Sequence, residues 1–292
     1  MKKKKKLKEL TIKDNFLFGA VMMEEENCRH FLELALGFPV ERVEISKEKS
    51  IVYHPEYKGV RLDIYAKDQD NTCYNVEMQM VQKADLGRRS RYYHSHIDME
   101  LLMSGRGYEE LPDAYVIFIC DFDPFGMERY CYTFHMNCGQ VPGFCLGDGC
   151  HSIFLSTCGK NDSEVSGELI KFLEYVKADV KESERDFGDS FVRKLQESVF
   201  RIKESREMEE RFMLLEEWLK EERAEAKAEG KAEGKAEGKA ESVLELLEEF
   251  GEVPEDLKVR IMQERNLEVL KRMMKAAVGA KSVEEFQKTI SS

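Results

Sequence analysis

Two carboxylates and an amide stand where a short hairpin would bring them together. In the stretch GVRLDIYAKDQDNTCYNVEMQM, residues 59–80, two alternating segments flank a polar turn. Asp63 lies midway along the first segment, Glu77 midway along the second, and Gln79 two residues further on. Side chains of an extended chain alternate between faces. Arg61, Asp63, Tyr65 and Lys67 therefore share one face of the first segment, and Val60, Leu62, Ile64 and Ala66 the other. In the second, Asn75, Glu77 and Gln79 oppose Tyr74, Val76, Met78 and Met80. A one-residue slip would turn every side chain over, so the register must keep the apolar faces together. With the turn near Asp68 to Asn71, Asp63 then falls opposite or diagonal to Glu77. Carboxylates that close repel each other, and a divalent cation removes the conflict. The chemistry that Asp63, Glu77 and Gln79 suggest is octahedral oxygen ligation of Mg2+ (or Mn2+) by the two acids, with Gln79 orienting a water. The alternative is a solvated sheet face on which Arg61 or Lys67 pairs with the acids.

Three other groups of residues invite chemistry. KADLGRRSRYYHSH concentrates Lys83, Arg88, Arg89 and Arg91 beside Tyr92 and Tyr93, a basic and aromatic patch or else a solvated helix face. Asp14 opens a helix and fits an N-cap or first-turn acid. Cys131, His135, Cys138, Cys145, Cys150 and His151 lie close in sequence, but their spacings match no regular zinc motif.

The elements that must position these residues follow from periodicity. Residues 17–36 carry helical apolar spacing and end at Gly37 and Pro39; strand-like segments follow near 42–53, 59–67 and 72–81. LGRRSRYYHSHIDMELLMSGRGY is helical, DAYVIFICDF is a buried strand, RYCYTFHM and HSIFLST are short strands, and SGELIKFLEYVKA returns to helix. This order predicts an α/β or α+β domain over residues 1–180, with α/β the fold class adopted. Residues 187–229 read as an amphipathic helical segment able to mediate homo-oligomerisation. KAEGKAEGKAEGKAE, with Gly230, Gly234 and Gly238, reads as a low-complexity linker over 230–241, because each Gly costs a helix ~1 kcal/mol relative to Ala. Residues 242–292 form a small helical tail.

The net charge of -12 is uneven: residues 1–160 hold 21 Lys and Arg against 24 Asp and Glu, and the remainder 24 against 33. The acidity that disfavours nucleic acid thus lies mostly in the second half. No apolar run approaches the ~20 residues of a membrane span, and the basic start lacks a signal peptide's apolar stretch. The expectation is a cytoplasmic protein with reduced thiols.

The motifs carry a closer resemblance. Asp63, thirteen residues, then Glu77-x-Gln79 resembles the core of the PD-(D/E)XK nucleases. LTIKDNFLFGAVM, GVRLDIYAKD, YNVEMQM, RRSRYYHSHIDMELLMSGRGYEELPDAYVIFICDFDPFG, YTF, and LGDG followed by IFLST resemble the successive motifs of the PD-(D/E)XK nuclease family transposases, the recombination-promoting nucleases, over residues 10–178. The resemblance implies a restriction-endonuclease-like core, a mixed sheet flanked by helices, and a bacterial, mobile-element-associated enzyme. It implies a Mg2+-dependent DNA endonuclease that hydrolyses phosphodiester bonds and promotes recombination. Asp63 and Glu77 match the metal-binding acids, and Asp14 resembles an additional one. Arg88, Arg89 and Arg91 would contact DNA phosphates, and Tyr92 or Tyr93 would stack or pack. Gln79 stands where many superfamily members have Lys and brings neither charge nor base. Gln79→Lys is therefore expected to preserve or raise cleavage. The alternative is a DNA-binding or regulatory protein with a degenerate site.

Overall fold

The computed structural model describes residues 6–51 and 60–290. Positions 52, 53 and 59, which alternation assigns to strands, lie outside the described residues. In chain order the elements are α1 (Asn15–Met22), α2 (Glu25–Leu36), β1 (Val43–Ile51), β2 (Val60–Asp68), β3 (Cys73–Gln79), α3 (Leu86–Leu101), β4 (Ala114–Cys120), β5 (Cys131–Phe134), β6 (Cys150–Ser156), α4 (Gly167–Lys177) and α5 (Ser190–Glu204). A long helix, α6 (Arg206–Glu248), and three short ones, α7 (Glu255–Gln263), α8 (Leu267–Gly279) and α9 (Val283–Ile290), complete the chain. The six strands form one sheet in the order β1-β2-β3-β4-β6-β5. Its first half is an antiparallel meander; β3, β4 and β6 run parallel, and β5 returns antiparallel at the far edge. This is the mixed sheet flanked by helices, followed by a long helix and a helical tail, that the sequence implies. Among the described residues no helix is long and apolar enough to cross a membrane.

Parallel strands need a crossover connection, and α3 is that connection between β3 and β4. It covers one face of the sheet. Leu86, Tyr93 and Ile97 of α3 form a buried cluster with Tyr65, Cys73, Val116, Phe118 and Phe154. The alternate residues of the same strands, among them Ile64, Val76 and Ile117, are also buried, and α1 and α2 pack against the meander, with α5 against both helices and α4. Gly37, at φ 78°, ends α2 in the left-handed conformation that favours glycine. A strand covered on both faces reads as uniformly apolar. β4, AYVIFIC, does so, whereas β3 carries Asn75, Glu77 and Gln79 into the same buried layer.

The chain divides into two compact units, Met1–Phe212 and Met213–Ser292. The first extends past the boundary at 180 expected from sequence, and the 187–229 segment is two helices broken at Ser205. The reason is α5's apolar stripe: Phe191, Val192, Leu195, Val199 and Ile202 are buried, and Ser198 accepts a 3.1 Å bond from the Asn27 amide. In the second unit, the repeat read as a linker is helical within α6. Its four-residue period puts Ala236 and Ala240 on the same stripe as Val243 and Leu247, and that stripe joins Leu257, Ile261, Leu270, Met273 and Phe286 in a small core. Burial and Ala's propensity outweigh the glycine cost.

Five buried side chains at ~2 kcal/mol each amount to a domain's whole stability of ~5–15 kcal/mol. A chain ending at residue 180, without α5, is therefore expected to lose its cooperative thermal transition. One ending at Phe212 should keep it. Equal cooperativity of the two truncations would place α5 outside the core.

Candidate active site

The β2–β3 turn fixes the register that brings the acids together. Asp68 Oδ1 accepts from the backbone N–H groups of Asp70 and Thr72, both at 2.9 Å, and Asn71 adopts φ 63°. An aspartate that satisfies its own turn in this way, with Asn in the left-handed position, is favoured chemistry for a tight connection. The pairing runs Lys67 with Cys73, Ala66 with Tyr74, Tyr65 with Asn75 and Ile64 with Val76. The next step places Asp63 across from Glu77, and there side chains replace the backbone ladder. The Asp63 N–H donates to Glu77 Oε1 at 3.2 Å, and the Met78 N–H donates to Asp63 Oδ2 at 3.3 Å.

Burial separates the two acids. Asp63 is half-buried at the sheet's meander side, where Asn15 at the start of α1 donates to its Oδ2 at 3.0 Å. Glu77 is 1% exposed and Gln79 6%. The solvated-face reading fails for these two because α3 closes over them. Desolvation first, and Asp63's nearby charge second, push the Glu77 carboxyl up from its ordinary 4.5 to about 8, although Arg89 pulls the other way. The guanidinium keeps its proton throughout, so among the described side chains a cation faces Glu77, whose raised carboxyl holds its own proton at neutral pH.

That cation is Arg89. Its Nη2 donates to Glu77 Oε2 at 2.6 Å, its Nη1 to Gln79 Oε1 at 2.7 Å and its Nε to the Tyr93 hydroxyl at 2.6 Å. The Tyr93 and Phe118 rings lie 5.0 and 5.5 Å from the guanidinium carbon. Gln79 is held at both ends, since its Nε2 donates to the Val81 carbonyl at 2.5 Å. Its amide is thus committed to protein partners rather than to a water.

The remaining candidates divide. Asp14 caps α1, accepting from the Phe16 N–H at 3.1 Å, immediately before the Asn15 that reaches Asp63. Among the described residues no three His, Cys, Asp or Glu side chains converge closely enough to hold a metal ion, so Asp14 does not make a triad with Asp63 and Glu77. Arg88 and Arg91 are exposed on the outer face of α3, and Tyr92 lies edge-on to His96 at 4.5 Å. Arg89, grouped with them by sequence, points the other way. In the Cys and His cluster, His135 and His151 meet Nδ1 to Nδ1 at 3.1 Å, and Asp113 stands 3.7 Å from His151. The sequence reading missed Asn15, and it placed Tyr93 in the basic and aromatic patch but not beside Glu77. The four-residue spacing of Arg89 and Tyr93 on a helix is the signal that could have placed Tyr93 there.

Asp63 and Glu77, joined across adjacent strands, form a two-carboxylate hard-oxygen donor set once Glu77 gives up its proton. That set suits Mg2+ or Mn2+, ions that accept one or two carboxylates and keep several waters.

A model of the PD-(D/E)XK nuclease family transposases matches residues 12–245 of the chain. No curated protein and no solved structure matches it significantly.

Proposed function

Because this chain belongs to the PD-(D/E)XK nuclease family transposases, whose membership supports a nuclease or transposase-like role, we propose that it is a Mg2+- or Mn2+-dependent DNA endonuclease that hydrolyses phosphodiester bonds and promotes recombination. The observation that carries this reading is the juxtaposition of Asp63 and Glu77 on adjacent strands, where Asp63's charge helps hold the Glu77 carboxyl neutral until a cation favours its ionisation. Asp63 and Glu77 would hold the ion. When bound, the ion supplies Lewis-acid stabilisation of the charge developing on the phosphate. The chain's own groups do the rest. Asn15 and the Met78 N–H aim the Asp63 carboxylate, the Asp63 N–H aims Glu77, and α3 keeps water away from Glu77 and Gln79. Cleavage of supercoiled plasmid with Mg2+ or Mn2+, absent in EDTA, tests the reading. DNA binding without cleavage under any ion would support a regulatory protein instead.

DNA contact falls to the outer face of α3. Among the described residues Arg88 and Arg91 have no ion-pair partner, and both are exposed. Arg88→Ala and Arg91→Ala are each expected to weaken binding of all DNA sequences alike and to flatten its salt dependence by a slope of ~0.9. Arg89→Ala should leave that slope unchanged in EDTA, because its guanidinium is turned toward Glu77. A slope unaltered by the first two substitutions would make the outer face a solvated helix surface. Oligomerisation through the C-terminal helices is a further part of the proposal, tested by light scattering of the full chain against the truncation after Phe212.

A further inference from the structure

Gln79 leaves the strand without a positive charge at the place nearest the acids. The structure brings one there from a different element. Three nitrogens of the Arg89 guanidinium are engaged, on Glu77, Gln79 and Tyr93, and two aromatic rings flank it, yet its side chain is 27% exposed. The side chain is thus gripped at its guanidinium nitrogens without being sealed from solvent. A charged, forked group held against two side chains at once is a geometry that Arg provides and Lys does not.

The grip has a consequence for any incoming cation. Glu77 Oε1 already accepts from the Asp63 N–H at 3.2 Å, and Oε2 accepts from Arg89 at 2.6 Å and from the Tyr93 hydroxyl at 3.3 Å. A divalent ion that uses Oε2 must displace the guanidinium, which it also repels.

Resting on the nuclease reading above, we propose that Arg89 is the resident cation of this site. It holds Glu77 and Gln79 in place until a divalent ion takes Oε2, and it then turns its guanidinium to the DNA phosphate, the role Gln79 cannot fill. Before the ion arrives Arg89 is a positioning residue that acts through Glu77. Afterwards it touches the substrate.

The test uses the full chain, with Ca2+ binding followed by calorimetry and by melting shift at pH 9, and plasmid cleavage measured separately with Mg2+. Arg89→Ala is expected to bind Ca2+ ~10-fold or more tightly than the wild type, because a competing charge is gone. It should at the same time cleave ~10²-fold to 10³-fold more slowly, the loss typical of a donor aimed at developing charge. A residue that only braces the fold would lose both together. Arg89→Lys keeps the charge and loses the fork, so it should bind Ca2+ more tightly than the wild type and retain measurable cleavage. Should Arg89→Ala fail to melt cooperatively in EDTA, the Lys variant decides alone: wild-type or weaker Ca2+ affinity overturns the proposal. The same result in a folded Arg89→Ala overturns it equally. A wild type that binds no divalent ion and cuts no DNA defeats the nuclease reading itself, an outcome distinct from a functional wild type whose ion affinity ignores residue 89.

Discussion

Asp63→Asn and Glu77→Gln are each expected to abolish ion-dependent cleavage, by ~10³-fold or more, since a Lewis-acid ion supplies several kcal/mol and each 1.36 kcal/mol is tenfold. The fold should survive. Asn at 63 can still accept from the Met78 N–H and from Asn15, as Asp63 Oδ2 does. Gln at 77 resembles the neutral form that burial already favours in Glu77, so both variants should melt within ~1 kcal/mol of the wild type in EDTA. The ion-induced melting shift separates them from it. At tenfold excess over its dissociation constant, an ion binding only the native state adds ~1.4 kcal/mol, roughly 3–6 °C for a domain of this size. The wild type should show that shift and the variants none.

The shift should also depend on pH in a stated direction. Glu77 is raised in the folded protein, so its neutral form contributes stability that is fully present below about 4.5 and is lost as pH climbs through about 8. An ion needs the carboxylate and must displace that proton. The wild-type melting shift is therefore expected to grow from pH 6 to pH 9, with proton release on binding. The Glu77→Gln variant has no such proton to lose. A shift that is flat with pH would mean that Glu77 is not a ligand.

The pairing of Asp63 with Glu77 was legible in the sequence because two local rules agreed on it. Alternation assigned the faces, and the Asp68–Asn71 turn fixed the offset between the strands. The burial of that polar face was not legible from the hairpin alone. It follows from β3 lying in the sheet's interior, with β4 parallel beside it and α3 folded over both. Arg89 was misassigned for a related reason. Composition groups it with Arg88 and Arg91, while helical phase groups it with Leu86, Tyr93 and Ile97, and burial follows the phase. The repeat in α6 shows the opposite weighting. Glycine content argued for a linker, but the period of four placed alanines on one stripe, and packing, which propensity does not contain, made the stripe a core.

Gln79→Lys tests which residue carries the positive charge beside Glu77. Sequence reasoning expects the substitution to preserve or raise cleavage by restoring a charge on the strand, but the structure already has a cation 2.7 Å from Gln79 Oε1. A lysine there would press an ammonium against the Arg89 guanidinium in a place where Gln79 is only 6% exposed, with the Glu77 carboxylate left to serve two cations. Like charges brought together out of water are expected to cost ~2–4 kcal/mol, roughly 5–15 °C in melting temperature. The single variant should lose cleavage because Arg89 is forced out of register with Glu77. Removing the older cation should repair the fault: Gln79→Lys combined with Arg89→Ala leaves one positive charge beside Glu77, now carried by the strand, and should be both more stable and more active than Gln79→Lys alone. That non-additivity, read from a double-mutant cycle on melting temperature and on cleavage, is the signature of two residues competing for one electrostatic position. A Gln79→Lys variant that is as stable as the wild type and cuts faster would show that the two charges coexist. The position beside Glu77 would then have been vacant in the chemical sense, and Arg89 would be no more than the brace that closes α3 over the sheet.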